Sequence, residues 1–233
     1  MFRLMIAGLL LVSFAMPAVS QEKKLRVALV AGSKEYEPEK SLAILQPHLE
    51  KAGFECVRIF WKNDTDLPGL EKLESCDTMV LFARRVKLEG EQLEHFKKYC
   101  TSGKPIVGIR TASHAIQTWL DLDKEILGGN YKGHYGEGDK TQVKIVEKAK
   151  DHPILKGFIP FASVGTLYKN DGIAGDCEVL LTGSIPGHEH PVAWTRTHKG
   201  GRVFYTSLGH QQDFREEGFL RLLTNVVQWS VGR

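Results

Sequence analysis

Histidines and arginines mark the places in this 233-residue chain where chemistry could be done. His210 follows an apolar run and a glycine, in Ser207-Leu208-Gly209-His210-Gln211-Gln212-Asp213. Histidine changes charge near neutral pH, so His210 suits acid/base work or metal ligation. His114 ends Arg110-Thr111-Ala112-Ser113-His114, and His134 lies in the glycine-rich stretch 130–139. With His210 and Glu35 they would form an acid/base cluster, or hold a divalent metal such as zinc on His114, His134 and His210. No His-x-x-x-His pair at helical spacing points to metal specifically. Arg84, Arg85 and Arg110 carry fork-shaped donors that suit an anionic or polyhydroxylated ligand; the plainer alternative is ion pairing with nearby acids. The candidate catalytic residues are therefore His210, His114 and Arg110. The candidate ligand-binding residues are Glu35, Arg84, Arg85, Ser113, His134 and Asp213.

These residues need a frame, and the hydrophobic pattern predicts one. Leu25–Gly32 is a continuous apolar run, the mark of a strand buried on both faces. Further strands are predicted at 55–61, 77–83 and 104–109. Helices are predicted between them, at 38–52, with Leu42, Leu45 and Leu49 on one face, and at 89–100. A third helix is expected from Ser113 to Leu127, with Ile116, Leu120 and Leu127 inward and Ser113 as its amino-end cap. Ser113 or Thr111 as nucleophile is disfavoured, since no base is evident beside either. Strand–helix alternation with short connections predicts an α/β, flavodoxin-like, doubly wound and mainly parallel sheet. The second half is β-rich, with strands expected at 141–148, 162–168, 178–182, 190–197 and 202–207, then a closing helix at 219–229. Lys199-Gly200-Gly201 reads as a hairpin turn. His188-Glu189-His190 reads as a solvated turn and His152 as part of another. In such sheets ligands bind beyond the strands' carboxyl ends, where every candidate residue but His134 falls.

Apolar residues make up 42% and charged residues 25%, enough apolar material for one sizeable core. Residues 1–20 read as a secretory signal, with Arg3, an apolar run from Met5 to Phe14 and small residues before Gln21. The expectation is thus export to a periplasm or the extracellular space, one domain over residues 21–233, and no membrane segment after cleavage. Loss of Arg3 takes the formal charge from +3 to +2, near neutrality. There is no basic stripe for nucleic acid. Export permits disulfides, and Cys76–Cys100 is the favoured pair among Cys56, Cys76, Cys100 and Cys177.

Four segments together resemble the ThuA-like (trehalose utilisation) family, within the class I glutamine amidotransferase-like fold. They are GKPIVGIRTASH (103–114), ILGGNYKGH (126–134), DHPI (151–154) and, most specific, HPVAWTRTHKGGRVFYTSLGHQQDF (190–214). The resemblance covers nearly all of the chain after the signal and implies a link to carbohydrate metabolism, with a small-molecule carbohydrate as partner. Amidotransferases of this fold place a Cys in the turn after the fourth strand and a His and a Glu near the carboxyl end. Here that turn is Gly108-Ile109-Arg110-Thr111; His210 matches the His, position 212 is Gln, and Asp213 follows. A thiol glutaminase is therefore not expected. The resemblance implies action on a sugar or keto-sugar derivative by acid/base or metal-assisted chemistry, or else a non-catalytic sugar-binding protein or accessory subunit of a sugar oxidoreductase system.

Overall fold

The computed structural model describes residues 23–136 and 138–233, so the expected signal segment lies outside the described residues. Strand β1 (Arg26–Gly32) lies centrally, with β2 (Glu55–Phe60) on one side and β3 (Thr78–Ala83), β4 (Ile106–Ile109) and β9 (Gly201–Thr206) on the other, all parallel. The sheet continues from β9 through antiparallel β8 (His188–His198), β7 (Glu178–Ile185), β5 (Thr141–Ile145) and β6 (Ala162–Ser163). The order 2-1-3-4 followed by β9 is the doubly wound flavodoxin-like arrangement. The β-rich half extends the same sheet.

Alternation of side chains along each strand feeds two cores, one on each face. Val27, Leu29, Ala31, Val80, Phe82 and Phe204 meet Leu42, Leu45 and Leu49 of α1 (Pro38–Lys51). The same face takes Phe219, Leu223 and Val227 of α3 (Glu217–Ser230). Ala28, Val30, Met79, Leu81 and Tyr205 meet Phe96 and Cys100 of α2 (Gly90–Cys100) on the other face. These runs are apolar throughout because both faces are covered.

The structure corrects several expectations. No helix runs from Ser113 to Leu127: a 3₁₀ turn covers Arg110–His114 and a π-helical turn covers Leu122–Leu127. Val86 bridges Ile116, with Val86 N donating to Ala115 O at 2.8 Å and Gln117 N to Val86 O at 2.8 Å. Those bonds take backbone groups that a helix would use, and they leave Leu120 50% exposed instead of inward. Ser113 accordingly caps no helix; its hydroxyl bonds His114 Nδ1 at 3.0 Å. The strand expected at 162–168 shrinks to Ala162–Ser163 plus an isolated bridge between His134 and Tyr168. His190 lies in β8, buried, between Tyr135 OH at 2.9 Å and Asp171 Oδ1 at 3.2 Å. All four cysteines are free thiols; Cys76 Sγ turns back on Lys72 O at 3.4 Å, away from any disulfide. Among the described residues no helix is long and apolar enough to cross a membrane.

Candidate functional site

The carboxyl ends of β1, β3, β4 and β9 converge on one rim, and the backbone is strained there. Among the described non-glycine residues with positive φ are Tyr36 (67°), Glu37 (41°), Arg85 (52°) and Arg110 (48°), all just beyond β1, β3 or β4. Left-handed conformations at such residues cost about 1 kcal/mol or more and persist where surroundings over-determine them, commonly at functional sites.

Arg110 is the centre of this rim. It follows β4 directly, where the fold makes its sharp turn, and is 2% exposed. Its guanidinium lies between two rings, 4.8 Å from the centroid of Tyr36 and 4.9 Å from that of Tyr168. Nη1 donates to Ser207 O at 2.9 Å and Nη2 to Thr166 Oγ1 at 3.3 Å, while Nε is buried without a partner. Arginine tolerates this because its delocalised charge is weakly hydrated and stacks on aromatic faces, each such contact contributing about 0.5–2 kcal/mol. Gly165 makes the space: a Cβ there would sit 2.7 Å from Nη1.

A network keyed by Asp213 holds the loop after β9. Its buried Oδ2 accepts from Gly209 N at 2.8 Å, His210 N at 3.0 Å and Ser163 Oγ at 2.9 Å. Ser163 Oγ in turn accepts from Gly165 N at 3.1 Å, which ties this loop to the glycine behind Arg110. Asp213 thus organises the loop that presents His210. Burial raises its pKa, against the Gly209 and Ser163 bonds that lower it.

His210 is partly buried, its ring edge-on to Tyr36 with centroids 6.4 Å apart. Burial first, then the Arg110 charge, lower its pKa, with Asp213 opposing. The neutral ring accepts at Nδ1 from Gln212 N at 3.3 Å, which leaves the proton on Nε2. His210 therefore presents an N–H; to act as a base it exchanges tautomers by releasing one long hydrogen bond.

His210, Arg110, Tyr36, Glu35, His134 and Thr166 line one cleft of about 480 Å³, a size that takes a small molecule. Glu35 also accepts from Arg84 Nη1 at 2.9 Å, so Arg84 is committed to an ion pair, the plainer of its two expected roles. Ser113, His114 and Arg85 lie elsewhere: they line a second cavity that shares no lining residue with the first. Aromatic rings divide the two. His114 stacks on Tyr131 (4.7 Å), Tyr131 leans on Tyr168 (4.6 Å), and Tyr168 faces His134 (6.4 Å). Burial first, then Arg84, Arg85 and Arg110, push the His114 pKa down to about 3, which keeps it neutral.

The metal that was one alternative for His114, His134 and His210 has no matching arrangement among the described residues. Tyr168 lies 6.4 Å from both His114 and His134, and among the described residues no group of three or more His, Cys, Asp or Glu side chains is placed to hold an ion. Sequence reasoning missed the tyrosines. Tyr131 lies inside the ILGGNYKGH segment and Tyr36 next to Glu35, and those placements were the available signal; Tyr168 had none.

The ThuA family, described as trehalose utilisation, matches residues 26–230. The chain belongs to this family. Membership gives this ThuA-family chain a carbohydrate-related role in coarse terms. No curated protein matches it. A ThuA-like protein from Bacteroides uniformis superposes with a TM-score of 0.70 at 19% identity, over 94% of this chain and 96% of that one. A ThuA-like protein from Parabacteroides merdae gives 0.68 at 18% identity, over 90% and 91%. A glutamine amidotransferase from Thermotoga maritima gives 0.55 at 14% identity, over 91% and 100%. At these identities the likeness is one of fold. The turn after β4 holds Arg110 in this chain, with no thiol there.

Proposed function

We propose that this ThuA-family chain binds a small neutral carbohydrate, or a keto derivative of one, in the cleft of Tyr36, Arg110, His134 and His210, and that His210 moves a proton there. The observation that carries the reading is the convergence of a neutral, half-exposed imidazole and a buried arginine cation on one 480 Å³ cleft. Abstraction of a proton beside a carbonyl needs a base and a positive charge to receive the developing enolate. His210 takes that proton after its tautomer exchange and returns it to the same or a neighbouring carbon. The Arg110 charge, held between two rings, stabilises the enolate oxygen through its field. A glutaminase mechanism is not proposed, because the turn after β4 offers no thiol. We also propose that the chain is exported, with cleavage before Gln21, on the strength of the leader pattern in residues 1–20.

A second reading is favoured by a specific observation: His210 Nδ1 already accepts from Gln212 N and Glu35 is paired with Arg84, while the cleft lining mixes donors with the carboxylates of Glu35 and Asp139. Such a cleft suits sugar hydroxyls in a binding protein without turnover.

Deuterium wash-in separates the two. A keto-sugar incubated with the protein in deuterated water is expected to exchange the C–H beside its carbonyl, and His210→Ala to slow this at least about 100-fold, the usual scale of acid/base catalysis. Binding without exchange in the wild type would establish the binding-protein reading in its place.

A further inference from the structure

The second cavity, of about 470 Å³, has a composition of its own. Arg85 and Lys124 line it, and the ion pairs among the described residues include neither. Arg85 is held in place: its left-handed backbone donates N–H to His114 O at 2.9 Å, next to the Val86–Ile116 bridge. Beside these cations lies Asp123, on the π-helical turn Leu122–Leu127, 8% exposed. Its Oδ2 accepts from Tyr131 N at 2.9 Å, while Oδ1 is buried with no partner. Gly129 closes over it; a Cβ there would fall 2.1 Å from Oδ1. An orphaned carboxylate oxygen costs about 1–3 kcal/mol, and π-helical turns recur at functional sites.

We propose that this cavity is a second binding site, for a small organic anion whose carboxylate or phosphate group is held by Arg85 and Lys124 beside the Asp123 side chain. It does not rest on the carbohydrate reading of the other cleft. The cations supply attraction and orientation. An anion seated there repels an ionised Asp123, so occupancy is coupled to proton uptake by that carboxyl. Asp123 is poised for this: burial raises its pKa to about 6, against the Tyr131 N–H and Lys132, which lower it. The other charged or titratable groups around it are Lys124 and Glu125 of its own turn, Arg85, neutral His114 and Tyr131 of the cavity lining, and Tyr205 of β9. Affinity for an anion of fixed charge therefore rises as pH falls toward about 6 and levels off below it.

The test is titration calorimetry of the whole chain with glucuronate, glucose 6-phosphate and neutral glucose. At least one anion is expected to bind, with glucose at least about tenfold weaker, as one lost charge-assisted contact implies. Arg85→Asn combined with Lys124→Gln should abolish this binding; asparagine tolerates the left-handed backbone. Binding of one anion but not the other identifies the head group as carboxylate or phosphate. Glucuronate should bind several-fold more tightly at about pH 5 than at about pH 8, and Asp123→Asn should remove that dependence while the chain stays folded by circular dichroism. Absence of binding by either anion, undiminished binding in the double variant, or loss of binding in His210→Ala instead, would overturn the proposal. A pH dependence unchanged in Asp123→Asn would overturn the part assigned to Asp123.

Discussion

Two buried ionisable groups sit on opposite sides of one aromatic wall and are treated differently. Arg110 keeps its charge, because two rings, a carbonyl and a hydroxyl surround it. Asp123 has a single backbone donor on one oxygen and nothing on the other. The first arrangement stabilises a fixed charge that shapes a cleft. The second leaves a carboxyl whose protonation responds to what enters the cavity. Burial alone is common to both; the partners decide whether a group is structural or responsive.

Breaking the wall should have the largest effect. Tyr168 is 2% exposed and touches Tyr131, His114, His134 and Arg110. Tyr168→Ala is expected to cost about 3–5 kcal/mol in denaturant unfolding, the range for a large buried aromatic, and to merge the ligand specificities of the two cavities. Tyr168→Phe should cost far less, since the stacking survives.

Removing the organiser of the His210 loop comes next. Asp213→Ala strands three donors, two buried on Gly209 and Ser163 and one part-buried on His210, and should cost about 2–4 kcal/mol. Its effect on the His210 cleft should exceed its effect on the Asp123 cavity, read as separate ligand titrations.

The smallest change sharpens the contrast most. The Asp123 pKa lies at about 6 in the fold and at 3.8 in the free side chain, so the protonated form is favoured on folding. The stability this gives is fully present below 3.8 and is lost as pH rises through about 6. Asp123→Asn should thus stabilise the protein by about 1–3 kcal/mol at about pH 8 and change it little at about pH 4, as thermal melts would show. An unchanged melting temperature across that range would mean that Asp123 is solvated.

Much of this was legible in the residues. The parallel strands could be read because a strand covered on both faces is apolar throughout, as in Leu25–Gly32. The rim was legible because Arg110, Glu35 and His210 follow such runs directly. What failed were features set by pairing across the chain. Ile116 bridges Val86 and so breaks a helix whose local pattern was helical. His190 is drawn into β8 by Tyr135 and Asp171, distant in sequence. On the expected helix Asp123 shares the inward face of Ile116, Leu120 and Leu127, an odd place for a carboxylate; what buries it in the fold is Gly129 and Tyr131 turning back over it, which no local pattern shows. The division of the candidate residues between two cavities likewise depends on the contact of Tyr131 with Tyr168, two residues far apart in sequence.

The most direct measurement is a two-dimensional NMR titration of the histidine ring protons with a neutral saccharide and its keto derivative. Shifts at His210 and His134, with His114 unmoved, are the expected result, since the first two line the cleft proposed for the carbohydrate and the third lines the other cavity. Shifts at His114 with His210 and His134 silent would place the carbohydrate in the wrong cavity and contradict the central claim.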